Sequence, residues 1–110
     1  MSEVHPFVIA IVQARLTSQR LPGKVLLPIG PWSMLEVMHT RLLKARSLRG
    51  IVYAVPDSRA NDRLAAYIEH TLKAHVVRGS EDDVLTRYMG AIRAFPAEYY
   101  LRLTADCQYA

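Results

Sequence analysis

The chain has a single cysteine, Cys107, among its 110 residues. No disulfide can form within it, and that economy of thiols is expected of a protein kept in the reducing cytoplasm. It has no apolar run near the roughly 20 residues that a helix needs to cross a bilayer, so a helical membrane span is not expected. The opening MSEVHPF carries an acid and a proline but no basic cluster, which argues against a secretory signal. The four histidines, His5, His39, His70 and His75, fall into no zinc-ligand spacing. Repeats, low-complexity tracts and linkers are also lacking. With 51% hydrophobic and 22% charged residues the chain is too apolar to stay disordered, and its length suits one small domain with a modest core.

Acidic residues are scarce in the first half. Residues 1–50 hold seven Lys/Arg (Arg15, Arg20, Lys24, Arg41, Lys44, Arg46, Arg49) against Glu3 and Glu36, a balance of +5; residues 51–110 hold seven against eight, a balance of −1. Positive charge gathered in one half points to an anionic ligand there. No helix-turn-helix, RNA-recognition or zinc-finger pattern accompanies it, so nucleic acid is not the expected partner.

Strand and helix patterns alternate along the chain. Phe7–Val12 (FVIAIV) is a continuous apolar run of the kind found in a parallel strand covered on both faces. After a polar loop rich in Pro and Gly, Ser33 and Glu36 form a capping box, with Trp32 placed to staple against Val37. Met34, Met38, Leu42 and Ala45 follow at helical spacing, and Gly50 suits the helix exit. Ile51–Val55 reads as a second strand and 62–73 as a second helix with Leu64, Ala65, Ile68 and Leu72 on one side. His75–Val77 is a short third strand. Ser80 as N-cap and Asp83 three residues on start a third helix that buries Val84, Tyr88, Ile92 and Phe95 and stops at Pro96, and Tyr99–Leu103 is the fourth strand. The order βαβαβαβ with short connections predicts a doubly wound parallel α/β sheet. Its ligand site is expected beyond the C-terminal ends of the strands, where strand order reverses. For an order 3-2-1-4 that point lies between strands 1 and 4, whose exit loops begin at Gln13 and Thr104.

The loop after strand 1 reads Gln13-Ala14-Arg15-Leu16-Thr17-Ser18-Gln19-Arg20-Leu21-Pro22-Gly23-Lys24. Arg15, Arg20 and Lys24 are three permanent cations with no acid to offset them. Guanidinium forks match phosphate oxygens, lysine adds a mobile point charge, and Gly23 lets backbone N–H groups approach an anion. Position 18 is Ser and position 25 is Val, so the Walker pattern is absent, and there is no G-x-G-x-x-G either. A solvated basic turn shaped by Pro22-Gly23 is the plainer alternative.

Val12-Gln13-Ala14-Arg15 with Ser18-x-Arg20-Leu21-Pro22-Gly23-Lys24 resembles the opening of the cytidylyltransferases that activate acidic sugars, the acylneuraminate and ketodeoxyoctonate enzymes and, most of all, the relatives called spore-coat polysaccharide biosynthesis proteins. The likeness continues through Val55-Pro56-Asp57, Asn61-Asp62, the run from Arg78-Gly79-Ser80-Glu81-Asp82-Asp83-Val84-Leu85 to Arg87-Tyr88, and Arg102-Leu103-Thr104-Ala105-Asp106-Cys107. The resemblance implies a three-layer, Rossmann-like sheet of the nucleotide-diphospho-sugar transferase type. It implies that a sugar hydroxyl attacks the α-phosphorus of CTP and releases pyrophosphate, for the synthesis of polysaccharide precursors.

On that resemblance Arg15 and Lys24 become the catalytic clamp on the phosphates, with Arg20, Ser18 and Gly23 beside them. Asp106 becomes a Mg²⁺ ligand, Mg²⁺ being commonly held by one or two carboxylates plus substrate phosphates. An Asp that caps a turn is the alternative there. Gln13, Ala14 and the segment 78–83, Arg78 and Ser80 foremost, would flank cytosine and ribose. Asp82 and Asp83 are better explained as first-turn helix acids than as ligand contacts, and Asp57 is equally explained as a turn residue. Cys107 is expected to be a bystander.

Gln108-Tyr109-Ala110 departs from the family pattern, and residues 1–110 are expected to be the N-terminal, nucleotide-binding half of a larger domain, cut after the fourth strand. Tyr99, Leu101 and Leu103 would then form an exposed apolar edge through which copies associate. A non-catalytic nucleotide-binding remnant and a protein-interaction fragment are the alternatives to a transferase.

Overall fold

The computed structural model describes residues 7–16 and 31–107, excepting the side chains at 31–34, 106 and 107. The elements run β1 (Val8–Leu16), α1 (Pro31–Leu43), β2 (Leu48–Pro56), a 3-10 turn (Arg59–Asn61), α2 (Asp62–His70), β3 (His75–Gly79), α3 (Val84–Ala94) and β4 (Tyr99–Cys107). All pairings are parallel and the strand order is β3-β2-β1-β4, so the reversal lies between β1 and β4. β1 and β2 are central and almost wholly apolar. Strand alternation sends Ala10, Val12 and Ala14 to one face, against Leu35 of α1 and Leu64, Ala65 and Ile68 of α2. Ile9 and Ile11 go to the other face, with Val52, Ala54 and Ala91 of α3. The result is the three-layer, doubly wound parallel sheet that the sequence predicts. Among the described residues no helix is long and apolar enough to cross a membrane.

Several element boundaries differ from the sequence reading, for identifiable reasons. β1 does not end at Val12. Gln13 and Arg15 are polar, but β1 is paired on both sides, and Gln13 stays in ladder with Ala54 and Thr104 while Arg15 pairs with Asp106. The strand also keeps an apolar face, since Ala14 is fully buried. β4 likewise runs on to Cys107, so Gln13 and Thr104 sit inside strands instead of opening loops. α1 begins at Pro31, which suits a first helical turn because its missing N–H needs no partner there, so Ser33 lies inside the helix and not at the N-cap position. Gly50 is a strand residue of β2, with Leu48 already in the ladder. α2 stops at His70, and Leu72 packs on the core from beyond the helix. Lys73 then takes a left-handed φ of 56° to turn the chain into β3.

The third helix starts three residues later than the Ser80 cap would give. Its N-cap is Asp83, whose carboxylate accepts from the Thr86 N–H at 3.1 Å and the Thr86 hydroxyl at 2.7 Å. Those bonds hold the Asp83 pKa below the ordinary carboxylate value. Ser80 still contributes, its Oγ accepting from the Asp83 N–H at 3.0 Å. The buried stripe is centred one residue away from the expected one, though Tyr88, Ile92 and Phe95 still pack on the core. Val84 is exposed, Tyr88, Ile92 and Phe95 are half-buried, and the residues sealed beneath α3 are Ala91 and Arg87.

Beneath α1, His39 is buried and its Nδ1 lies 2.8 Å from the Tyr53 hydroxyl. Burial lowers the His39 pKa from 6.5, so the folded chain holds the neutral ring. Below about pH 6.5 the unfolded chain binds a proton that the folded chain refuses, and stability falls as pH drops through that window. Thermal melts at pH 7.5 and 5.5 are expected to show a lower Tm at the acidic value. In His39→Gln, which cannot charge, that pH-dependent loss should shrink; an unchanged loss would acquit His39.

Candidate functional site

On the α3 face of the sheet the C-terminal ends of β1, β3 and β4 converge. Strand alternation places Gln13 and Arg15 there, in line with Ile9 and Ile11, and the turn from Gly79 into α3 brings Ser80, Glu81 and Arg87 over them. Arg15 is in register with Asp106 across the β1–β4 pair, so the two positions that the sequence reading matched to phosphate and metal are nearest neighbours in the sheet.

Arg87 is the pivot of this corner. It is 2% exposed, and its bonds go to neutral acceptors. Its Nε donates to the Gln13 Oε1 at 3.0 Å and its Nη1 to the Ser80 carbonyl at 2.8 Å, with the Glu81 carbonyl at 3.5 Å. Among the described residues no carboxylate lies within ion-pair distance of it. Burial lowers the Arg87 pKa, and the neighbouring Arg15 cation lowers it further, while Glu81 and Asp57 act the other way. A guanidinium nevertheless stays charged in proteins. The corner therefore holds two cations close together, Arg87 wholly buried and Arg15 partly so, an arrangement that an anion would relieve.

Arg15 is similarly underused. Its Nη2 approaches Glu81 Oε2 at 3.8 Å, both side chains being about a third exposed (32% and 40%), a contact of little worth in water. Its Nε is buried and has no hydrogen-bond partner among the described residues, and the same holds for the Nε2 of Gln13. Buried donors are normally satisfied, so two orphans on one strand face mark a place prepared for acceptor atoms.

Gly79 makes the corner possible. A Cβ there would meet the Arg87 Cα and Cγ at 3.0 Å, tighter than ordinary packing, so glycine lets α3 settle this close to β3 without displacement. The Gly79 carbonyl in turn accepts from the Asp57 N–H at 2.7 Å. Asn61, fully buried, pins the exit of β1: its Oδ1 accepts from the Leu16 N–H at 2.8 Å and its Nδ2 donates to the Ser58 Oγ at 2.8 Å.

The remaining expected site residues divide. Ala14 is in the core of the opposite face, so only its backbone can meet a ligand. Arg78 also lies on that opposite face, where its Nε donates to the Pro56 carbonyl at 2.9 Å and its Nη2 to the Ser58 carbonyl and to Asp62 Oδ1 at 3.1 and 3.0 Å. It braces the β2–α2 connection and is not gathered with Arg15. Ser18, Arg20, Gly23 and Lys24 lie outside the described residues, as does the Asp106 side chain. Glu81 falls within the segment 78–83 expected beside the nucleoside, but Arg87 was absent from the sequence-based site. Its signal was there: Arg87 falls on the same helical stripe as Tyr88 and Ala91, and a charge on a buried stripe needs a reason.

A family model described as cytidylyltransferase matches residues 9–107. The chain belongs to the cytidylyltransferase family. It is 36% identical over 105 residues to the spore coat polysaccharide biosynthesis protein SpsF of Bacillus subtilis, a match covering 90% of this chain and 42% of that protein. A cytidylyltransferase structure from Leptospira borgpetersenii superposes with a TM-score of 0.75 at 33% identity, over 94% of this chain and 43% of that one. The structure of CMP:2-keto-3-deoxy-manno-octonic acid synthetase complexed with CTP shares the fold, with a TM-score of 0.62 at 22% identity over 90% of this chain and 40% of that one. The chain thus spans about two fifths of the length of the curated relatives it matches. In this family member the convergent corner lies at the strand reversal, where doubly wound sheets take their ligands.

Proposed function

We propose that the chain binds CTP and serves as the nucleotide-binding half of a transferase that passes CMP to a sugar and releases pyrophosphate, for glycan precursor synthesis in the cytoplasm. One observation carries the reading: Arg15 and the buried Arg87 share a corner at the switch point, with orphan donors facing it and Asp106 in register alongside. That is a site suited to phosphate oxygens. Membership of the cytidylyltransferase family, together with the CTP held by the synthetase of the same fold, favours cytidine over other nucleosides.

The chemistry follows from charge. As the sugar oxygen attacks the α-phosphorus, negative charge builds on the departing pyrophosphate, and fixed cations stabilise it. Arg15 would hold the phosphates from the end of β1, and Lys24 with Arg20, Ser18 and Gly23 would complete the grip from the following segment. Arg87 adds field from below. Mg²⁺ commonly binds through one or two carboxylates plus phosphate oxygens; Asp106, matched by the family motif, would supply a carboxylate, and the ion would screen the charge of the triphosphate.

Isothermal titration with CTP, ATP and GTP in the presence of Mg²⁺ tests the binding reading, and pyrophosphate release with candidate sugars tests transfer. CTP should bind more tightly than the purine nucleotides. Equal affinity for all three would leave a general triphosphate site, and no binding would remove the reading.

An association between copies through β4 is part of the proposal. Tyr99 and Leu101 are exposed on that strand. Size-exclusion chromatography should show oligomers that dissociate on Leu101→Lys; a monomer at all concentrations would contradict it.

A further inference from the structure

We infer that Arg87 is a specificity-determining positioning residue: by fixing the amide of Gln13 it makes that side chain present an N–H to the nucleobase, so that the site favours cytosine over uracil. The inference deepens the proposed function and rests on it.

Gln13 can bond through an oxygen that only accepts or a nitrogen that only donates. Its neighbour Arg87 has donors alone. The contact at 3.0 Å from Arg87 Nε must therefore be to Oε1, whichever way the amide is drawn, because the opposite orientation would set two donors against each other. The amide nitrogen is thus turned away from Arg87. Gln13 is 4% exposed, and its Nε2 has no hydrogen-bond partner among the described residues. Arg87 is held in turn by the Ser80 carbonyl at 2.8 Å and by the close seat of α3 over Gly79, so the amide cannot easily flip.

The orphan donor lies on the same strand face as Arg15, two residues earlier, a separation of about 7 Å along the strand. A nucleotide whose phosphates rest on Arg15 can reach Gln13 with its base. Cytosine offers acceptors at N3 and O2, whereas uracil has an N–H at position 3. A fixed N–H facing that edge satisfies cytosine and opposes uracil, and an unmatched buried donor is the kind of fault that gives strong discrimination.

Gln13→Glu isolates the effect. The carboxylate keeps an acceptor for Arg87 Nε and neutralises the buried cation, so the fold is retained, but the N–H is gone. Affinities of CTP and UTP, each with Mg²⁺, are measured by isothermal titration for the parent chain, Gln13→Glu and Arg87→Lys, with circular dichroism confirming the fold of each. The parent should prefer CTP, and Gln13→Glu should reduce the CTP-to-UTP affinity ratio by about tenfold or more. Arg87→Lys, which retains a charge but loses the planar fork, should reduce the ratio in the same direction by a smaller factor. A parent that prefers CTP and a Gln13→Glu chain with an unchanged ratio would overturn this inference while leaving CTP binding intact. A parent that binds neither nucleotide would overturn the proposed function, and this inference with it.

Discussion

Replacing Arg15 with alanine is expected to weaken CTP binding by about tenfold to a hundredfold, the roughly 1.5–3 kcal/mol of a hydrogen bond to a charged group. The fold itself should barely change. Among the described residues Arg15 makes one long contact, to Glu81 at 3.8 Å, and its buried Nε has no partner, so little native stability is expected to be at stake. A residue that costs affinity without costing stability is one whose interactions await the ligand. Lys24→Ala should act in the same direction. The loss at Arg15 should narrow as salt is raised, because the ligand contact is partly open to solvent. Titration of CTP into both chains at two salt concentrations checks this, and an Arg15→Ala chain with the parent's affinity would dismiss the phosphate assignment.

Arg87→Ala should behave in the opposite manner, unfolding the protein more readily before any ligand is added. Truncation leaves a cavity under α3 and strands two acceptors, the Gln13 Oε1 and the Ser80 carbonyl. Each buried unsatisfied group costs about 1–3 kcal/mol, so a loss of roughly 3 kcal/mol is expected, a fall in Tm of at least about 10 °C for a chain of this size. Removing the uncompensated buried charge returns part of that cost, which is why the figure stays well below the sum of the lost bonds and the cavity. Thermal unfolding followed by circular dichroism measures the outcome. A Tm equal to that of the parent would mean that the corner is not held together by this guanidinium.

The architecture was legible because its determinants are local and repetitive. FVIAIV and IVYAV admit few readings other than buried parallel strands, and the helical patterns between them lead to a doubly wound sheet, whose order is β3-β2-β1-β4. Boundaries were harder wherever a polar residue faces a private partner. Gln13 and Arg15 look like the start of a loop until the alternation with buried Ala14, and the α3 roof above them, are known. Ser80 and Asp83 both have N-cap chemistry, and local sequence does not decide between them; the Thr86 hydroxyl, bonded to Asp83, does.

The site was half legible for a related reason. Charge concentration and strand-end position pointed to Arg15, and the family motif to Asp106, which the sheet places in register with it. Arg78 looked like a ligand residue, yet the structure gathers it with Pro56, Ser58 and Asp62 instead of with Arg15, a matter of strand parity that cannot be read without the extent of β3. Arg87 stood within a family motif without being recognised as its buried centre, because a charged residue beside the apolar stripe of Tyr88, Ile92 and Phe95 is ordinarily assigned to solvent.

The most direct test of the account is a crystal structure of the chain with CTP and Mg²⁺. Phosphate oxygens should lie within hydrogen-bond distance of the Arg15 guanidinium, beside the ends of β1 and β4 on the α3 face. A triphosphate bound elsewhere, with Arg15 still facing only Glu81, would contradict it.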